Sequence, residues 1–419
     1  MATKNYTGNH DLSGATVTLA DKAIAIAKLA DGTDGELITW DAAGVISTVP
    51  TGTSTHVLTS NGAGAAPTFQ AVGAGQATYD AIVAASGGDY TTLGAAITGG
   101  ATNIFIKDGT YTETGNIVCP SNCQITGESF RGTKVVMTGY TLTFGAQNRI
   151  QNFWITSGHD SDTCIIGGGW VFLRDMFFEN TLGGGSFTTQ RGMVTDNNVA
   201  QIRFYMENCY FDLTPFSNVE YPNLSGVWIQ NAGSNYHYYD NIQLGGALTR
   251  NLKAFDHAGN AALISNMNFL NVGKTGVGSM FIRGDNCTLT NINITNGDMR
   301  IELNGDQNTL TNVTADDANA DVYIDGEGNC VSNAALAGQI ITSANAHHTK
   351  ISNSTPAGGV SISGDYNSIV GSTVGALAGG GAATITVASG AQSTTISACH
   401  VDADISDSGT DTSTDYVIY

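Results

Sequence analysis

The sequence predicts an all-β protein wound as a parallel β-helix, and three observations carry that prediction. Helix formers are scarce: charged residues make up 12 % of the chain where about 25 % is usual, while Gly supplies 53 and Asn 35 of the 419 residues. An Asn-centred segment recurs at intervals of 18 to 33 residues between positions 152 and 398. Apolar and polar residues alternate on both sides of that Asn, but the parity breaks at the Asn itself. Each segment is therefore two short strands meeting at a bend. The 41 % hydrophobic content runs along the whole length, which argues against disorder.

With the bend as position zero, eleven segments centre on Asn152, Asp175, Asn208, Asn241, Asn266, Asn291, Asn312, Asn333, Asn353, Gly371 and Ala398. The residue two before the centre is apolar in all eleven, from Ile150 and Leu173 to Ile396. The residue three after it is apolar too, from Ile155, Phe178 and Phe211 to Val401. Asn suits a bend because it tolerates the left-handed backbone region, and its amide both donates and accepts. Copies stacked at the strand spacing of about 4.8 Å would link their amides into a ladder. Two successive intervals of 33 residues predict neighbouring loops, 181–198 and 213–238, projecting side by side. Residues 205–239 carry nine aromatics, and Phe211 and Tyr239 are core by parity.

Upstream lie Gly87-Gly-Asp-Tyr-Thr-Thr-Leu-Gly-Ala-Ala-Ile97, Ile104-Phe-Ile-Lys-Asp-Gly-Thr-Tyr-Thr-Glu113 and Ile125-Thr-Gly-Glu-Ser129. These resemble the opening of the pectin-lyase-like superfamily, pectin methylesterases and many phage tailspikes above all. The resemblance implies a right-handed parallel β-helix over residues 76–401, whose open end a short helix near Thr91–Ile97 caps against edge pairing. The Gln-Asp-Thr, Asp-Phe-Ile-Phe-Gly and Arg-Pro-Trp segments of the methylesterases do not occur here, so no esterase role is carried over. Residues 1–75 are rich in Gly, Ala and Thr. Their Leu29-Ala-Asp-Gly-Thr-Asp-Gly35 and His56-Val-Leu-Thr-Ser-Asn-Gly-Ala-Gly64 phrases resemble the N-terminal segment of phage tail fibres and tailspikes. That implies a virion-anchoring segment that meets other tail proteins and forms a homotrimer. Residues 402–419 read as a short tail.

The formal net charge, 16 − 36 = −20, repels phosphate backbones and anionic lipid, so neither nucleic acid nor membrane insertion is expected. Met1-Ala-Thr-Lys-Asn-Tyr6 lacks the basic and apolar regions of a signal peptide, which predicts synthesis in a host bacterial cytoplasm and, with the resemblance, residence in the virion tail. The seven Cys are expected as buried thiols, Cys119 and Cys123 included. Gly62-Ala-Gly64 lacks the Lys and Ser/Thr of a phosphate loop. Asp316-Asp317-Ala-Asn-Ala-Asp321 reads as a solvated turn, and no metal or cofactor is expected.

The outward positions hold the candidate chemistry. Two residues after the bend stand Trp154, Phe177 and Tyr210; four after it stand Thr156, Glu179 and Asp212. Rings present apolar faces to sugars, and two carboxyls one strand apart match the separation of about 5 Å used by retaining glycosidases. Like charges that close are expected to push the pKa of one of them upward, as a general acid requires. Glu207 and Asp240, one residue before the bend, form the second-choice pair, and Tyr221 and Trp228 are further glycan-binding candidates. The expectation is a tailspike or tail-fibre protein that attaches to bacterial surface polysaccharide, capsule or lipopolysaccharide, and depolymerises it if the acids are catalytic. A non-enzymatic structural adhesin, whose aromatic stripe is a subunit interface, is the alternative. A free lyase or hydrolase is the third.

Overall fold

A computed structural model describes residues 34–71 apart from 42, 44 and 55. It also describes 79–418 apart from 138, 158–162, 181–190, 197–202, 214–223, 231–235, 247–253, 273–277, 376–383 and 403–404. The chain divides into two compact units, Met1–Thr78 and Tyr79–Tyr419. The first contains two antiparallel hairpins, Leu37–Trp40 with Ile46–Val49 and His56–Thr59 with Thr68–Ala71.

The second unit is the expected parallel β-helix. Among the described residues its strands form one sheet of 19 and one of 13, and every pairing within them is parallel. The chain alternates between the sheets, so strands neighbouring in space lie about one coil apart in sequence. All eleven predicted inward positions two before the bend are buried, as are the eleven three after it. They fill one continuous apolar interior in which Phe178 stacks on Phe211 at 4.6 Å.

Each predicted bend adopts the left-handed conformation, with φ from +48° at Asn353 to +63° at Asn152, Gly371 and Ala398 included. The amide ladder runs from Asn333 Nδ2 to Asn312 Oδ1 (3.3 Å), Asn312 to Asn291 (3.0 Å) and Asn291 to Asn266 (2.9 Å). It then breaks: Asn266 donates to Asp240 Oδ1 instead, at 2.7 Å, and resumes from Asn241 through Asn208 to Asp175. A carboxylate one residue away outcompetes the next amide because a charged acceptor makes the stronger bond. Asn291→Ala forces a Cβ-bearing residue without a polar side chain into left-handed backbone and deletes two amide bonds. Chemical denaturation should show a loss of about 2 kcal/mol, with Asn291→Gly recovering about half of it.

A second, buried series of side-chain amides lines another corner of the coil. Asn308 Oδ1 accepts from Cys287 N (2.7 Å), Asn329 Oδ1 from Asn308 N (2.8 Å), and Asn367 Oδ1 from Thr349 N (2.8 Å). These bonds satisfy backbone donors that the corner takes out of the ladders.

Helix Leu93–Thr98, capped by Thr92, lies at the start of the coil. The Gly109-Thr-Tyr-Thr-Glu113 corner holds it. Buried Glu113 accepts from the backbone N–H of Leu93 (2.8 Å) and Gly94 (3.0 Å), and Tyr111 donates to Lys107 O (2.8 Å). Residues 402–419 are not a tail beyond the helix. Strands Ile405–Asp407 and Ser413–Ile418 add one further rung to each sheet, Ile405 in register with Ile385 and Ile418 with Val401.

Candidate functional site

The outward face of the first long strands has two strips, one on each side of the bend. After the bend, Trp154 pairs in register with Phe177 and Phe177 with Tyr210, while Thr156 pairs with Glu179, Glu179 with Asp212, and Asp212 with Gly245. The stack is thus formed as the repeat phase predicts. Phe177 lies parallel to Tyr210 at 4.9 Å and edge-on to Trp154 at 5.1 Å.

This strip is more covered than parity alone implies. Phe177 is only 4 % exposed, because the Arg131 guanidinium lies 4.7 Å over its ring and Phe130 packs edge-on at 6.1 Å. Thr156 is buried as well. Phe177 is therefore a support for Tyr210 rather than a free sugar platform. The Lys134 ammonium sits 3.7 Å from the Trp154 ring centre and 3.3 Å from Glu179 Oε2, so it occupies one face of that ring and gives Glu179 a counter-charge. Burial pushes the Tyr210 phenol up; the nearby Asp212 charge adds to this and Arg131 opposes it. A Cβ at position 245 would come within 3.0 Å of the Tyr210 hydroxyl, so the Gly there leaves that oxygen room.

Before the bend lies a strip of which the expectation held only the second-choice pair, Glu207 and Asp240. Arg149, Phe172, Tyr205 and Tyr238 are in register three residues ahead of it, and Gln151, Arg174, Glu207 and Asp240 one residue ahead. Phe172 stacks on Tyr205 at 4.7 Å, and Tyr205 meets Tyr238 at 6.2 Å. With Arg149, Gln151, Arg174 and Glu207 these rings line a cavity of about 290 Å³. The signal was available, since both positions are outward by the same parity as the later strip.

Glu207 Oε2 is 3.5 Å from Arg174 Nε, which also reaches Asp175. Asp240 accepts from Ser265 Oγ and Asn266 Nδ2, each at 2.7 Å. The Tyr238 phenol is pushed up by its own burial and then by the Asp240 and Glu207 charges. Beyond the cavity, Arg203 lies between the exposed rings of Trp170 (4.9 Å) and Tyr236 (5.4 Å). An apolar floor rimmed by a few convergent polar groups is the usual make-up of a small-ligand site.

The remaining candidates separate. Trp228 belongs to the other sheet, in register with Thr195 and Asp256, and does not join either strip. Tyr221 and most of loops 181–198 and 213–238 lie outside the described residues. Among the described residues, no three His, Cys, Asp or Glu side chains are grouped to hold a metal ion.

No protein-family model and no curated protein sequence matches this chain. Solved structures do resemble it. Tailspike protein 3 of bacteriophage CBA120 is similar at a TM-score of 0.50 and 12 % identity, over 78 % of this chain and 57 % of that one. The β-helix is similar to that of a phage tailspike. ORF18 of Geobacillus virus E2 gives 0.36 and 14 %, over 59 % and 51 %. The catalytic domain of a GH87 α-1,3-glucanase, solved with nigerose, gives 0.42 and 12 %, over 80 % and 67 %. The chain spans little more than half the length of the two phage proteins. The expected likeness to tailspikes holds at the level of the fold.

Proposed function

We propose that this protein is a phage tailspike or tail-fibre protein that attaches the virion to a bacterial surface polysaccharide, capsule or lipopolysaccharide, on the outward face of coils 148–245. The observation that carries the reading is the contrast along one sheet. These coils expose stacked rings, guanidiniums and carboxylates around a cavity, whereas the same positions later hold mostly small residues such as Thr288, Thr290, Thr309, Thr311 and Ser332, with Lys350 a charged exception. Large aromatic and charged groups concentrated on a few coils of one sheet face are what a binding site requires and a scaffold does not. The first unit supports the anchoring and homotrimer role: Trp40 and Ile46 are 62 % and 63 % exposed, and apolar strands left so open call for cover by other copies or tail proteins.

Cleavage is the second reading. It rests on Glu179 and Asp212 as register partners on adjacent parallel strands, whose backbone spacing of about 4.8 Å is near the carboxyl separation of about 5 Å that retaining glycosidases use. One acid would protonate the leaving oxygen while the other attacks the anomeric carbon. Glu207 and Asp240 repeat the arrangement across the bend. Purified protein incubated with capsule or lipopolysaccharide from a susceptible host should bind it and release oligosaccharides. Glu179→Gln or Asp212→Asn should lower release about a hundredfold or more while binding persists. Binding without release identifies an adhesin, and absence of both overturns the proposal.

A further inference from the structure

We infer that the polysaccharide bound on this face is acidic, with a sugar carboxylate seated on Arg149 at the edge of the cavity floored by Phe172, Tyr205 and Tyr238. The inference rests on the glycan-binding reading and narrows its substrate class.

The chain has 16 basic residues against 36 acidic ones, yet Lys134, Arg149, Arg174 and Arg203 stand on strands of this one face and Arg131 lies over its Phe177. In a protein so rich in carboxylates, a guanidinium normally finds one. Three of these do not: among the described residues, Arg131, Arg149 and Arg203 make no ion pair and are held instead over aromatic rings, Arg149 at 5.2 Å from the centre of Phe172. Stacking leaves the edge of the guanidinium fork, with its N–H donors, turned to solvent. Arg149 is exposed and lines the cavity, while Gln151, which also lines it, donates its amide to Thr126 Oγ1 at 3.3 Å.

The acids on the face do not cancel this end of it. Glu179 is paired by Lys134 and Glu207 by Arg174, while Asp212 and Asp240 belong to the following coils. The face is thus graded from basic to acidic along the helix axis. A carboxylated sugar fits the first end, where two parallel N–H bonds to the carboxylate add to ring stacking. The net charge of −20 does not forbid it. At physiological salt the Debye length is about 8 Å, so the local guanidinium outweighs distant carboxylates.

The test is retardation of the intact protein in native gels, each cast with one polymer. Polygalacturonate, hyaluronan and polysialic acid supply carboxylates; dextran and carboxyl-reduced hyaluronan do not. Retardation is expected in at least one carboxylated polymer. Carboxyl reduction of that polymer, or Arg149→Gln, should weaken it at least tenfold, with Lys350→Gln, at an exposed basic residue of a later coil, unchanged and both variants as heat-stable as wild type. Retardation by uncharged polymers alone, or by acidic ones equally in Arg149→Gln, overturns the inference and leaves a glycan site standing. No retardation by any of the five overturns it too. Failure of the parent reading shows separately, as no binding to capsule or lipopolysaccharide from susceptible cells.

Discussion

Gly305→Ala is expected to destabilise the β-helix by about 3 kcal/mol or more, the cost of overpacking where nothing can give way. Gly259, Gly284, Gly305 and Gly326 stack at one corner, and a Cβ on any of the last three would overlap the backbone carbonyl of the glycine one coil earlier. The obstacle is main chain, so no rotamer change relieves it. The corner is also tied on both sides. Asp306 N donates to Asp285 Oδ1 at 2.8 Å and Glu327 N to Asp306 Oδ1 at 2.7 Å, while Asn329 Nδ2 donates to Gly305 O at 3.0 Å. A shift at Gly305 therefore strains three coils. Gly115, around which an added Cβ would meet nothing within 4 Å, is the control, and its Ala variant should lie within about 0.5 kcal/mol of wild type. Denaturant unfolding decides, and a loss under about 1 kcal/mol for Gly305→Ala would contradict tight stacking of the coils.

Acidification from pH 7 to pH 4 should remove about 3 kcal/mol of stability through His237 alone. Both ring nitrogens of His237 and Nε2 of His257 are buried without a hydrogen-bond partner among the described residues, and the two rings meet edge-on at 4.9 Å. Burial pushes His237 down to about 4 and holds His257 well below its usual range, with the His237 charge opposing it further. Tyr239, hydrogen-bonded to His257 Nδ1 at 3.2 Å, is pushed up by burial. The unfolded chain takes up a proton near pH 6.5 that the folded chain refuses until about pH 4. Stability is therefore complete above pH 6.5, falls as pH drops from 6.5 to 4, and levels off below. The 36 carboxylates also titrate toward the lower end, so the diagnostic quantity is the difference from His237→Phe, which keeps an aromatic ring without a titrating nitrogen. The variant's stability should fall about 3 kcal/mol less over that window. Parallel curves for the two proteins would mean that His237 is not buried in the neutral form.

The coil was legible because its requirements are local. A left-handed bend wants Asn, and the eleven bends found by that criterion all have positive φ, even where Gly371 and Ala398 stand in. Inward positions follow from parity, and none is exposed. The recurring Gly-Asp pairs at 284, 305 and 364 mark a corner where the chain touches the coil before it. What escaped has non-local causes. Phe177 is outward by parity but covered by Phe130 and Arg131, which lie outside the repeat frame. The ladder break at Asn266 depends on the Asp240 carboxylate, a stronger acceptor than the next amide, standing beside the bend. The strip formed by Arg149, Phe172, Tyr205 and Tyr238 obeyed the same parity as its neighbour, yet its value lies in the cavity that the stacked rings enclose, and a cavity is a property of packing. Trp228 carries an aromatic ring of the right kind on the wrong sheet.

A crystal structure of the protein with an oligosaccharide prepared from a susceptible host's surface polysaccharide tests the central claim most directly. The account predicts a sugar ring lying against Phe172, Tyr205 and Tyr238, with polar contacts to Arg149 and Glu207 and the chain continuing along the helix axis. A glycan seated instead on the second sheet near Trp228, or sandwiched between copies with this face empty, would contradict it.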